Sequence, residues 1–260
     1  MGVKKAMSRG VPSVFSLISA LGLLSAVSDG FAADSALRGD SGHPPLPSCG
    51  QIVARMMEAD QKVTPLLRDY TSIRRYYLQN ERFNKSAEMT VRASFRYPGE
   101  KEFQIVSEQG SLIVRRKVLR RILESELEAS RGELRQATQI TPDNYSFRLL
   151  GTDVVAGRES YVLEAVPKGK NSYLFSGKIW VDAEDYAIAR IEGSPAKPPS
   201  FLIRKSTFVH QYGRFGPFWL ATANDSDTDA RVFGRTILRI QYGDYRINQH
   251  DGGTGGAAAR

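Results

Sequence analysis

The stretch Met89-Thr90-Val91-Arg92-Ala93-Ser94-Phe95-Arg96-Tyr97 decides the fold. Met89, Val91, Ala93, Phe95 and Tyr97 alternate with Thr90, Arg92, Ser94 and Arg96, and this period of two makes a strand with one apolar face. Pro98-Gly99 ends it. Lys101 to Ser107 then predicts a second strand, and Gln109-Gly110 turns the chain into Leu112, Ile113 and Val114, read as a further extended run. Upstream, the period of two sets in from Asp69. Before it, Ser48 caps a helix over 50–62 whose stripe is Ile52, Val53, Met56 and Met57.

Downstream, Val118, Leu119, Ile122, Leu123 and Leu127 recur at three- and four-residue steps, which predicts a helix from Arg116 to Ser130. Its other face carries Arg116, Lys117, Arg120 and Arg121, a basic surface suited to a membrane or an acidic partner, although a solvated face is the plainer explanation. After Pro142 the chain reads as strand upon strand: Tyr145–Leu150, Ser160–Val166, Ser172–Asp182, Tyr186–Glu192, Phe201–Tyr212, Pro217–Asn224 and Ala230–Asn248. Turns separate them at Gly157-Arg158, Lys168-Gly169, Ala183 to Asp185, Pro195 to Pro199, Gly213 to Gly216 and Asp225 to Asp229. The class is α+β dominated by β. A large antiparallel sheet with one apolar face and only two helices must curl around them or leave a cavity.

At the N-terminus, Lys4, Lys5 and Arg9 precede a mostly apolar run from Val11 to Val27 that is too short to span a bilayer, followed by small residues. Residues 1–33 are therefore expected to be a cleaved signal peptide that sends the chain to the periplasm. Losing Lys4, Lys5, Arg9 and Asp29 lowers the formal net charge from +8 to +6. Residues 34–48, rich in Gly and Pro, read as a flexible linker, 49–248 as the folded domain and 249–260 as a disordered tail. Leu46-Pro47-Ser48-Cys49 resembles a lipoprotein cleavage box but stands about twenty residues past the apolar run, so lipid anchoring at Cys49 is not expected.

One cysteine and three histidines exclude a disulfide framework and leave few ways to build a metal site, so no metal and no cofactor are expected. No His-Glu-x-x-His, Gly-x-Ser-x-Gly or Ser-x-x-Lys motif is present, and an enzyme is not expected. Gly39-Asp40-Ser41-Gly42 mimics a serine-protease nucleophile motif with no His- and Asp-bearing barrel ahead of it. His43 and His250 lie in the flexible ends, and His210 reads as a polar-face surface histidine. Asp225, Asp227 and Asp229 open like a calcium loop, but Ala230 and Thr236 stand where glycine and glutamate are required, so they read as a polar hairpin tip. The modest basic excess is spread over strands and predicts no nucleic-acid partner.

The order of elements, with Arg96-Tyr97-Pro98, Tyr161-Val162-Leu163-Glu164-Ala165-Val166-Pro167 and Lys178-Ile179-Trp180-Val181-Asp182, resembles the LolA/LolB superfamily of periplasmic lipoprotein carriers. That group includes outer-membrane lipoprotein-sorting-like proteins and RseB-type stress regulators. The resemblance implies a strongly curved, half-open β-barrel lidded by a few helices, with acyl chains held between them. It also implies a lid-closing role for Arg96, which stands before Pro98 as an arginine does in the carriers. Candidate lining on the helix is Met56 and Met57. On the early strands it is Met89, Val91, Phe95 and Phe103, and on the later ones Tyr173, Phe175, Ile179, Phe218 and Leu220. The function expected is a monomeric, non-catalytic carrier or chaperone for a lipid or an acylated protein. The alternative is an RseB-type sensor or scaffold that docks an envelope protein through the basic helix.

Overall fold

Ser48 starts the fold as the sequence predicts. Its side chain accepts from the Gln51 backbone N–H while the Gln51 side chain accepts from the Ser48 N–H, a reciprocal cap for helix α1, Cys49–Val63. The computed structural model describes residues 46–129, 138–170, 172–198 and 200–249. The expected signal peptide, the linker before Leu46, Ser130, Pro199, His43, His250 and the tail from 250 lie outside the described residues.

Ten strands follow α1: β1 Asp69–Asn80, β2 Lys85–Arg96, β3 Glu100–Gly110, β4 Tyr145–Val155, β5 Arg158–Pro167, β6 Phe175–Asp182, β7 Ile188–Pro195, β8 Ile203–Phe215, β9 Phe218–Ala230 and β10 Gly234–Ile247. They form one antiparallel sheet in the order β3-β2-β1-β10-β9-β8-β7-β6-β5-β4. The first and last strands therefore pair inside the sheet, with Arg74 opposite Tyr242 and Leu78 opposite Leu238. The sheet is open, and its two edges, β3 and β4, are neighbours in sequence.

Between those edges lies the helical segment: α2 (Leu112–Val114), a π-helical stretch (Arg115–Leu119) and α3 (Arg120–Ala129). Leu112 to Val114 is thus helix where a strand was expected. Gly110 at φ +83° ends β3, Ser111 N–H donates to Ser86 O, and Val114 then falls in step with Val118 and Ile122, four residues apart on one helical face. The expected turn at Asp225–Asp229 is also corrected, because those residues lie inside β9. Asp-Ser-Asp-Thr-Asp has turn composition but strand periodicity. Each acid finds an arginine on a neighbouring strand, Asp227 with Arg235 at 2.7 Å, Asp229 with Arg204 at 3.0 Å and Asp225 with Arg239 at 3.8 Å. The hairpin turn moves on to Arg231–Phe233, before Gly234 at φ +67°.

The sheet's inner face carries two cores. Under α1, Ile52, Val53 and Met56 bury against Leu163, Phe175, Ile179, Ile191 and Phe208. Under the second helical segment, Leu119, Ile122 and Leu123 bury against Tyr76, Leu78, Met89, Val91, Leu238 and Ile240. Each large apolar side chain so buried contributes about 1.5–3 kcal/mol. The β6–β7 turn is held from within by Asp182, which has no exposed surface. It accepts from Arg158 Nε at 2.6 Å and Nη2 at 2.8 Å, and from the N–H groups of Glu184 and Asp185.

Candidate functional site

Two helices covering two halves of one curved face leave a gap between them. It is a pocket of about 370 Å³, within the usual range for small-molecule sites. Met56, Met57 and Val63 of α1 form one wall, and Phe218, Trp219 and Leu220 at the start of β9 form another. An aromatic cluster closes a third side: Tyr70 stacks on Phe95 with ring centroids 5.2 Å apart and meets Tyr245 edge-on at 5.6 Å. Tyr245 Oη donates to Ala221 O, and Trp219 Nε1 to Asp185 Oδ2, so these amphipathic rings turn their polar atoms to protein partners.

The inner wall is charged. Arg74 lies on the inward row of β1 with Ser72, Tyr76 and Leu78, all buried. Its guanidinium sits between the rings of Phe103 and Tyr242, at 5.1 and 5.0 Å. Nη1 donates to both oxygens of Glu126 on α3, at 2.9 and 2.8 Å, and Lys101 Nζ reaches Glu126 Oε1 at 3.1 Å. Burial opposes ionisation of Glu126, but the Arg74 charge, then that of Lys101 and their hydrogen bonds outweigh it and hold the carboxyl at about 2. His210 on β8 also lines the pocket. It is buried edge-on against Phe208, contrary to the surface position its sequence context implied, because it shares the inward parity of Phe208. Burial lowers its imidazole to about 4, with the nearby Glu126 charge pulling the other way. Arg74 Nε and His210 Nε2 have no hydrogen-bond partner among the described residues.

Of the candidate lining residues, Met56, Met57, Phe95, Phe218 and Leu220 meet at the pocket. Met89 and Val91 lie in the core beneath the second helical segment, with Phe103 packed against it. Phe175 and Ile179 lie in the core beneath α1, and Tyr173 is half-buried in the β5–β6 loop. Of the three β2 residues expected as lining, the helical segment above covers Met89 and Val91 and leaves Phe95 at the pocket. Arg96 does not close a lid: its side chain is 78% exposed and pairs with Glu100, 3.7 Å away across the hairpin. The buried sheet arginine that reaches a helix is Arg74, through Glu126 of α3. On the basic helix, Arg116 and Lys117 are exposed, while Arg120 is paired with Glu108 and Arg121 with Glu124. Cys49 packs against the core under α1, where burial raises its thiol.

No helix among the described residues is long and apolar enough to cross a membrane. No family model matches the chain, and no curated protein does. Among solved structures the chain is similar to a DUF1329 family protein from Desulfovibrio piger, at 12% identity over 78% of this chain and 95% of that one, with a TM-score of 0.42. It is similar to a putative outer membrane lipoprotein-sorting protein domain from Vibrio parahaemolyticus, at 13% identity over 74% and 92%, TM-score 0.38. A LolA superfamily protein from Nitrosomonas europaea matches at 10% identity over 79% and 96%, TM-score 0.32. These are remote resemblances of architecture, and none transfers a ligand or an activity.

Proposed function

We propose that this chain is a non-catalytic binding protein of the bacterial cell envelope that shields an acyl chain, of a lipid or of a lipidated protein, in the pocket between α1 and α3. The observation that carries the reading is the division of the pocket into an apolar wall and a charged floor. Met56, Met57, Phe218 and Leu220 offer adaptable apolar surface for a hydrocarbon chain. Arg74 Nε and His210 Nε2, buried and unpartnered, offer hydrogen bonds to the polar linkage at its end. The partner-binding scaffold is the alternative; a pocket with this polarity favours a small amphiphilic ligand over a docked protein. Export through residues 1–33 belongs to the same proposal.

Titration with a fluorescent fatty acid, followed by displacement with unlabelled lipid, tests the reading. Saturable binding that falls at least about tenfold in Leu220→Arg supports it, since a charge in the apolar wall carries its desolvation cost into every complex. Binding that is absent in the parent, or unchanged in Leu220→Arg, contradicts it.

A further inference from the structure

The end of the sheet remote from this pocket carries a second feature. Four loops meet there: the β1–β2 turn, the β9–β10 turn, the β7–β8 loop and the passage from β3 into α2. Arg231 N–H donates to Leu202 O and Ser111 N–H to Ser86 O, while Glu81 N–H donates to Arg235 O, so the loops form one continuous rim. Their tips are apolar and face water. Phe201 is 85% exposed and Ile113 74%, and Phe83, Phe233, Val232 and Leu112 are each about half exposed. Phe83 and Phe233 meet edge-on, 6.4 Å between centroids, across two separate hairpins. Scattered surface apolar residues are ordinary, but six large ones on adjoining loops form a patch that a monomer leaves exposed only for a partner.

The charges around the rim identify that partner. Arg82, Lys85, Arg116, Lys117 and Arg231 are exposed on the same loops, at the start of β2 and on the adjoining helical turn, with no acidic ion-pair partner among the described residues. Of the acids nearby, Glu108 is paired with Arg115 and Arg120 and Asp229 with Arg204, Glu81 and Asp227 share Arg235, and Glu88 accepts from Gln109, so the cations still outnumber the acids that face them. Aromatic and aliphatic tips ringed by unpaired cations match the two layers of an anionic bilayer surface, acyl boundary and head groups. We propose that this rim docks the protein onto anionic phospholipid. Phe95 and Trp219 adjoin the turns at the opposite end of the strands, so a rim-docked protein keeps its pocket clear of the membrane.

Vesicle flotation tests the proposal with the full chain. Vesicles of phosphatidylcholine with about a third phosphatidylglycerol are expected to carry the protein, pure phosphatidylcholine vesicles at least about tenfold less, and the difference to shrink as salt rises and screens the surface. The triple variant Phe83→Ser, Phe201→Ser, Phe233→Ser is expected to lose at least about tenfold in partitioning while binding the fluorescent fatty acid like the parent. That second readout reports folding and separates this surface from the pocket. Lys85→Glu with Arg231→Glu gives an independent variant in which only the salt-sensitive part is lost. No flotation with anionic vesicles overturns the proposal, as does flotation unaffected by both variants. Concentration-dependent dimerisation abolished by the triple variant also overturns it, by assigning the rim to a second copy of the chain.

Discussion

Arg74 of β1 and Glu126 of α3 form a buried ion pair in which one nitrogen, Nη1, serves both carboxylate oxygens at 2.8–2.9 Å. It is the most buried of the charged contacts that tie the sheet to the second helical segment, beside Lys101 with Glu126 and Glu108 with Arg115 and Arg120, and it forms the floor of the pocket. A pair so placed contributes little net stability against an apolar substitute, but removing one partner strands a charge in the interior.

Glu126→Gln should therefore destabilise the protein by about 3 kcal/mol or more, measured by chemical denaturation. Arg74→Met combined with Glu126→Leu should recover most of that loss. Native-state amide exchange should accelerate across Leu112–Ala129 in Glu126→Gln and stay unchanged in Cys49–Val63, since only the former helices are held by this pair.

Acid should weaken the fold in two stages. His210 ordinarily titrates at 6.5 and is lowered to about 4, so between those values the unfolded chain binds a proton that the native protein refuses. Stability falls as pH drops through this window, by about 3 kcal/mol in total, and the His210 contribution is flat below it. Glu126, lowered from 4.5 to about 2, adds a second loss as pH falls through that lower range. Denaturation of His210→Phe at pH 7 and pH 5 should show the first loss abolished.

Trp219 lines the pocket, whereas Trp180 is buried elsewhere with Nε1 donating to Asp153. A bound acyl chain should shift the intrinsic fluorescence of the parent. Trp180→Phe should keep the shift and Trp219→Phe should abolish it.

Asp182→Ala leaves Arg158 without its bidentate partner and the Glu184 and Asp185 N–H groups without their acceptor. The expected cost is about 3 kcal/mol in equilibrium unfolding. Fatty-acid affinity should weaken with it, because Asp185 in the same turn bonds Trp219 of the pocket wall.

Apolar periodicity made the two helices and most of the meander readable, because Met89–Val91–Ala93 and Phe175–Ile179–Val181 repeat at the spacing their burial demands. It failed where the buried row is polar. On β1 the period of two was legible from Asp69, but the inward positions Ser72, Arg74, Tyr76, Leu78 and Asn80 mix polar and apolar residues, so the central arginine did not stand out. The parity of Arg74 with Tyr76 and Leu78, and of His210 with Phe208, is the signal that marks both as inward. Asp225, Asp227 and Asp229 imitated a turn because their arginine partners lie on other strands, and such pairing is set by topology rather than by local sequence. The pocket lining was half legible for a related reason. Alternation tells which residues face inward, but only the placement of the helices tells which of those remain uncovered.

The most direct measurement is native mass spectrometry of the protein expressed in a bacterial periplasm and purified without detergent, compared with its denatured mass and a lipid extract. The account predicts a stoichiometric acyl-bearing molecule that is released on denaturation and absent from Leu220→Arg. A ligand-free parent that also takes up no added fatty acid or lipid would contradict it.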